Sequence, residues 1–155
     1  MIADTTVLSN FALVDRLDIA FKVVDIYTTN EVLNELKVCV MHGVFKLDLE
    51  RSNLETLTLE NEEITTFKRL NHRFGKGESS CLAVCLHRGF GILTDDFDAR
   101  RFAQMASLPV SGSIGILIKA VDKGIISKEE GDDLLQRMIE KGFYSPVETL
   151  NSFFL

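Results

Sequence analysis

The chain has 155 residues, 46% of them hydrophobic and 26% charged, with a net charge of −6. That length makes one ordinary domain, able to bury about 70% of its unfolded surface without a disulfide or metal staple, and the acidic balance counts against broad, sequence-blind nucleic-acid binding by the bare protein. Cys39, Cys81 and Cys85 form no disulfide framework, no apolar run nears the ~20 residues of a membrane span, and MIADTTVLSN lacks a charged leader region; a cytoplasmic protein with free thiols and no membrane contact is expected.

Residues 2–4 read as a very short strand. Val7, Leu8, Phe11, Leu13 and Val14 predict a helix over 6–17, and the β-branched, aromatic run FKVVDIY predicts a strand over 21–27. A helix follows from about residue 29, with Val32, Leu33, Leu36 and Val40 at helical spacing; TTNE at 28–31 matches a capping box, which gives Glu31 a structural job. Residues 54–59 alternate as a strand, 62–74 are amphipathic, and Gly75 and Gly77 break the chain before a helix over 78–87. A strand over 91–94, a helix over 97–106 and a brief strand over 108–110 come next, then two or three helices broken at Gly124 and near Pro146. Strands alternating with helices predict an α/β sandwich around a mostly parallel sheet. The organisation expected is one domain over 1–125, with a C-terminal helical extension over 126–155 packed on it.

In such sheets ligands sit beyond the carboxyl ends of the strands, where Asp4 and the Asp95–Asp96 pair fall. Each acid has a plain structural use when taken singly. Asp4 suits an N-cap, Glu78 suits the positive end of a helix dipole, and Asp95 or Asp96 can cap a helix whose first turn carries Asp98. Glu35, beside the apolar stripe between Leu33 and Leu36, is equally a solvated flank or a functional group. Taken together the acids are in excess. Four or five carboxylates at one edge repel one another unless protonated or bridged by cations, and hard oxygen donors without a His or Cys cluster select Mg²⁺ or Mn²⁺. Two such ions would bring the formal charge from −6 to −2. Rival motifs fail: FGKGESS lacks the spacing of a phosphate loop, DTTVL has Thr6 where a phosphoaspartate loop needs a second Asp, and Cys81 and Cys85 sit on an apolar helix that suits core packing.

The segments DTTVLSNF, VLNEL, GKGESSCLA and ILTDDFDARRFA, in that order, resemble the PIN-domain family, the nuclease fold of VapC-type toxins. VSGSIGILIKAVDKGIIS resembles a PIN subfamily with a C-terminal helical extension. The resemblance implies a three-layer α/β/α sandwich and a Mg²⁺- or Mn²⁺-dependent ribonuclease leaving a 5′-phosphate and a 3′-hydroxyl. It further implies the toxin of a toxin–antitoxin pair. By position, Asp4 matches the first metal acid, Glu35 the acid of the second-helix motif and Glu78 the acid opening the helix after GxG. Thr94 and Asp96 match a Thr-x-Asp element, Asp95 is an adjacent candidate ligand, and Thr6 matches a residue that orders the site. The first strand is shorter than the family usually shows.

The catalytic set implied is Asp4, Thr6, Glu35, Glu78 and Asp96; the metal set is Asp4, Glu78, Asp95 and Asp96, with the main ligand open between the last two. RNA would meet Lys68, Arg69, Arg73 and Lys76 of KRLNHRFGK and the Arg100–Arg101 pair, all of which serve equally as solvated helix faces. The alternative is a non-catalytic PIN-like module that binds RNA or protein. Partners expected are RNA, a small antitoxin protein and a second copy of the chain. In the tail YSPVETLNSFFL, Ser145 and Pro146 predict the start of a last helix presenting Val147, Leu150, Phe153, Phe154 and Leu155. That face either packs on its own domain or serves as a homodimer or antitoxin contact.

Overall fold

Ile2, Ala3, Ile92 and Leu93 are shut off from solvent, as strands covered on both faces must be. The computed structural model describes every residue except Asn53 and Leu155, so the expectation for Leu155 lies outside the described residues. Strands β1 (Ile2–Ala3), β2 (Tyr27–Thr29), β3 (Glu55–Leu57), β4 (Ile92–Leu93) and β5 (Val110–Ser111) form one sheet in the order β3-β2-β1-β4-β5. Every neighbouring pair is parallel. The crossovers are made by α1 (Thr5–Leu13), α2 (Leu17–Val23), α3 (Asn30–Met41), α4 (Asn61–Leu70), α5 (Lys76–Arg88) and α6 (Phe97–Met105), and α7 (Ser113–Asp122) and α8 (Lys128–Glu140) follow β5. Helices α3, α4 and α5 pack together, as do α2, α7 and α8, and α1 touches both groups. The result is the expected α/β/α sandwich.

From β1 the chain steps outward to β2 and β3, then returns to the other side of β1 as β4. Strand order therefore reverses between β1 and β4, and the crevice beyond their carboxyl ends is where open parallel sheets bind ligands. Ile2 pairs with Ile92 and Ala3 with Leu93. One step further, Asp4 N–H reaches Leu93 O at 3.0 Å. The register alone brings Asp4 alongside the residues after β4.

Three elements depart from expectation. The strand predicted over 21–27 instead begins as the end of helix α2, which covers 21–23, and runs irregularly to Tyr27: Leu17, Ile19, Ala20 and Val23 are buried along the helix, with Asp18 and Lys22 paired one turn apart at 3.2 Å. The β-branched content of FKVV suggested extended chain, but burial of one helical face overrode propensity, and the strand begins at Tyr27. The helix predicted over 6–17 stops at Leu13 because Asp15 takes a left-handed φ of 56°. The capping box at 28–31 does not form: the cap is Thr29, whose hydroxyl accepts from Val32 N–H, while the Thr28 hydroxyl donates to Ala3 O. Glu31 Oε2 is enclosed with no hydrogen-bond donor among the described residues.

The tail also differs. Residues 143–150 are irregular and only Asn151–Phe153 makes a 3-10 turn. The Ser145 hydroxyl closes on Val147 instead of starting a helix. Leu150 is nevertheless buried, resting on Gly131 of α8, and its N–H donates to Asp132 Oδ1 at 2.6 Å. Leu150→Ala is expected to cost about 3 kcal/mol, as core Leu truncations do; urea unfolding measures it. A loss below about 0.5 kcal/mol, ordinary for a surface position, would mean the tail does not pack on the domain. No helix among the described residues is long and apolar enough to cross a membrane.

Candidate active site

Asp4 follows β1 directly and is completely buried. It is the N-cap of α1, with Oδ1 accepting from Thr6 N–H at 2.9 Å and from the Thr6 hydroxyl at 2.5 Å, while Oδ2 accepts from the Thr94 hydroxyl. Both threonines are shared. Thr6 Oγ1 also accepts from Asp95 N–H at 2.9 Å and Thr94 Oγ1 accepts from Asp96 N–H at 3.1 Å. Two hydroxyls thus clamp the loop after β4 onto the acid after β1, which gives the Thr-x-Asp pattern its physical purpose. Burial pushes the Asp4 carboxyl up to about 7; the threonine hydrogen bonds oppose this and the charge of Asp95 adds to it.

The remaining acids divide by what they hold. Asp95 is engaged at both oxygens: Oδ1 accepts from Ser113 N–H at 2.9 Å, and Oδ2 accepts from the Ser113 hydroxyl at 2.5 Å and Asn10 Nδ2 at 2.9 Å. It ties α1 and the start of α7 to the loop. Asp96 caps α6 through Oδ1 to Ala99 N–H at 2.8 Å, leaving Oδ2 without a donor among the described residues. Glu78, in the first turn of α5, accepts from Gly75 N–H at 3.2 Å through Oε2 and keeps Oε1 without a donor among the described residues. Its carboxyl is raised above the usual range by burial, then by the charges of Asp96, Glu35 and Asp98. Glu35 accepts from the Thr5 hydroxyl and from Gly77 N–H at 3.0 Å, joining α3, α1 and α5.

The structure therefore gathers Asp4, Thr6, Asp95 and Asp96 in one hydrogen-bonded unit and places Glu78 and Glu35 within its electrostatic reach. Hard oxygen donors that raise one another's proton affinity suit a divalent cation. Yet no three His, Cys, Asp or Glu side chains among the described residues are arranged to hold a metal ion. The donors fit by chemistry; their side chains are not drawn into a finished coordination shell.

Among the basic residues, Arg100 belongs to this edge: Nη1 donates to Thr94 O at 2.8 Å. Arg73 lies over the Phe74 ring at 4.9 Å, and Phe74 meets Phe102 of α6. Lys76 begins α5 two residues before Glu78. Lys68 and Arg69 are exposed in the last turn of α4, and Arg101 is exposed on α6; no hydrogen bond ties these three to the acids among the described residues. Cys81 and Cys85 pack in the core with thiols pushed up by burial, Cys85 to about 12.

Sequence reasoning missed Thr5, Asn10, Gly77 and Ser113. Each is a small polar or glycine residue whose partner lies 18 or more positions away, and only the second glycine of GKGES carried a signal: a Cβ there would lie 2.5 Å from Glu35 Oε2.

The chain is an α/β sandwich with a parallel sheet and acids crowded at its reversal point. A family model described as PIN domain matches residues 1–154, and the chain belongs to the PIN-domain family. PIN domains are generally nucleases, typically use divalent metals, and their substrates are nucleic acids. No curated protein and no solved structure was found to match the chain.

Proposed function

We propose that the protein is a Mg²⁺- or Mn²⁺-dependent endoribonuclease of the cytoplasm. The observation that carries this reading is the clamp of Thr6 and Thr94, which fixes buried Asp4 against the Asp95–Asp96 loop at the reversal point of the sheet. Asp4, Asp96 and Glu78 would hold the ion. Asp96 and Glu78 each keep an oxygen free of hydrogen bonds among the described residues, whereas Asp95 spends both oxygens on Asn10 and Ser113 and serves as the scaffold. Bound there, a divalent cation supplies Lewis acidity, acidifying water and neutralising charge on the phosphate. Thr6 and Thr94 keep the Asp4 carboxylate oriented, and Glu35 fixes the opening turn of α5, from which Glu78 projects. Arg100, Arg73 and Lys76 offset the negative edge for an approaching phosphodiester.

The toxin role rests on the four motif segments that resemble VapC-type toxins, and it predicts copurification of a small basic or amphipathic protein. The competing reading is a module that binds without cutting, and what favours it is that no three ligands converge among the described residues. One experiment separates them. Labelled RNA should be cut with Mn²⁺ and not with EDTA, a labelled phosphomonoester should stay intact, and millimolar Mn²⁺ should raise the melting temperature because it binds only the folded state. RNA bound but uncut, with an unmoved melting temperature, would sink the nuclease.

A further inference from the structure

Beside the acids lies a cavity of about 540 Å³ that the clamp does not use. Its walls include Phe97 and Arg100 of α6, Ser111 at the end of β5, Ile118 of α7, and Tyr144 and Phe153 of the tail; Asp95 also lines it. The aromatic rings are unusually bare. Tyr144 is 96% exposed, Phe97 74% and Phe153 48%. Three such rings converging on one concavity, with a few polar groups, form the usual lining of a small-molecule site, and the volume lies within the usual span of about 300–1,000 Å³. Arg100 brings a positive charge to the cavity beside the Asp95 carboxylate, both of whose oxygens are already engaged by Asn10 and Ser113. Arg100 is half-buried, bonds to Thr94 O, and has no ion-pair partner among the described residues. A planar aromatic group with a phosphate attached at one end fits these walls, its ring against the bare aromatic side chains and its charge at the Arg100 side of the cavity.

We propose that this cavity is a nucleobase subsite. It takes the unpaired base of the nucleotide adjoining the scissile phosphate, stacked on Tyr144 and Phe97, with the Arg100 guanidinium turned to that nucleotide's phosphate. This rests on the nuclease reading for the identity of its ligand and on continuity with the same edge: Phe97 directly follows Asp96, and Asp95 belongs to both the clamp and the cavity wall. Stacking on aromatic faces requires an unpaired base, so single strands are selected over duplexes. The tail then has a task in substrate selection, since it supplies two of the three rings.

The test separates binding from cutting. A fluorescein-labelled single-stranded RNA hexamer is titrated in EDTA with wild type, Tyr144→Ala, Phe97→Ala and Tyr144→Phe, reading anisotropy. The chain has no Trp and two Tyr, so the part of the tyrosine quenching that Tyr144→Phe removes reports stacking on Tyr144. Loss of a stacking ring should weaken binding roughly 5- to 100-fold in each alanine variant. Tyr144→Phe, which keeps the ring, should retain the affinity, and the same sequence as a duplex should bind more weakly. Unchanged affinity in both alanine variants, or equal binding of the duplex, overturns the subsite. A smaller solution mass on Tyr144→Ala also overturns it, assigning the face to a second copy. Cleavage with Mn²⁺ is scored apart: ring-dependent binding without cleavage defeats the nuclease and leaves the base site standing, whereas cleavage with indifferent rings defeats only the subsite.

Discussion

Asp4→Asn is expected to remove RNA cleavage and, without metal, to make the protein more stable than wild type at pH 8. Loss of activity should exceed about 100-fold, the upper end for residues that merely orient a metal ligand. The stability gain follows from burial. Asp4 titrates at about 7 in the folded protein against an ordinary 3.8, so between those values the folded chain holds a proton that the unfolded chain has released. Stability from this group is therefore full below about pH 4 and is lost as pH rises through about 7, by an amount on the order of 4 kcal/mol. Asparagine carries no charge to bury, and its Oδ1 still caps α1 through Thr6 N–H. Melting curves from pH 5 to 8 in EDTA should fall more steeply for wild type than for the variant and cross between them. A variant less stable than wild type at pH 8 would show that the hydroxyl clamp outweighs desolvation. Metal should abolish the contrast, binding wild type more tightly as pH rises because the ion competes with the proton.

What was legible in the sequence, and what was not, follows from range. Strand–helix alternation and acids at strand ends gave the sandwich and its loaded edge, because apolar periodicity and N-cap chemistry are local signals. The α2 region misled because FKVV has strand composition and helical burial, and only packing against α7 decides between them. Glu31 matched a capping box on paper, but β2 runs through Thr29 and moves the cap by one residue. The division of labour between Asp95 and Asp96 was open for the same reason: Asn10 and Ser113, 85 and 18 residues distant from Asp95, occupy its carboxylate, and adjacent aspartates look alike until those partners are known. Ser-Pro is a good helix start signal, but the Ser145 hydroxyl closes on Val147, and Leu150 is anchored on Gly131 and Asp132.

Gly77→Ala should separate site geometry from stability most cleanly. Gly77 is a buried residue within helix α5, where alanine is normally favoured by about 1 kcal/mol. A Cβ there would lie 2.5 Å from Glu35 Oε2 and 3.0 Å from its Cδ, contacts that real side chains do not make. The backbone has no reason to move, because the obstruction is the end of a flexible side chain. Glu35 must swing out, giving up Gly77 N–H and the Thr5 hydroxyl. Helix gain is about 1 kcal/mol and each of the two lost hydrogen bonds costs about 1 kcal/mol, so unfolding stability should fall by only about 1 kcal/mol. Cleavage should nonetheless drop roughly 10- to 100-fold, as when a residue that orients the reacting groups is displaced. The cycle with Glu35→Ala decides the cause: once that carboxylate is gone, the added methyl group has nothing to displace, and Gly77→Ala should cost little further activity. The same loss in both backgrounds would mean that Gly77 serves the site by another route, through the approach of substrate to the opening turn of α5.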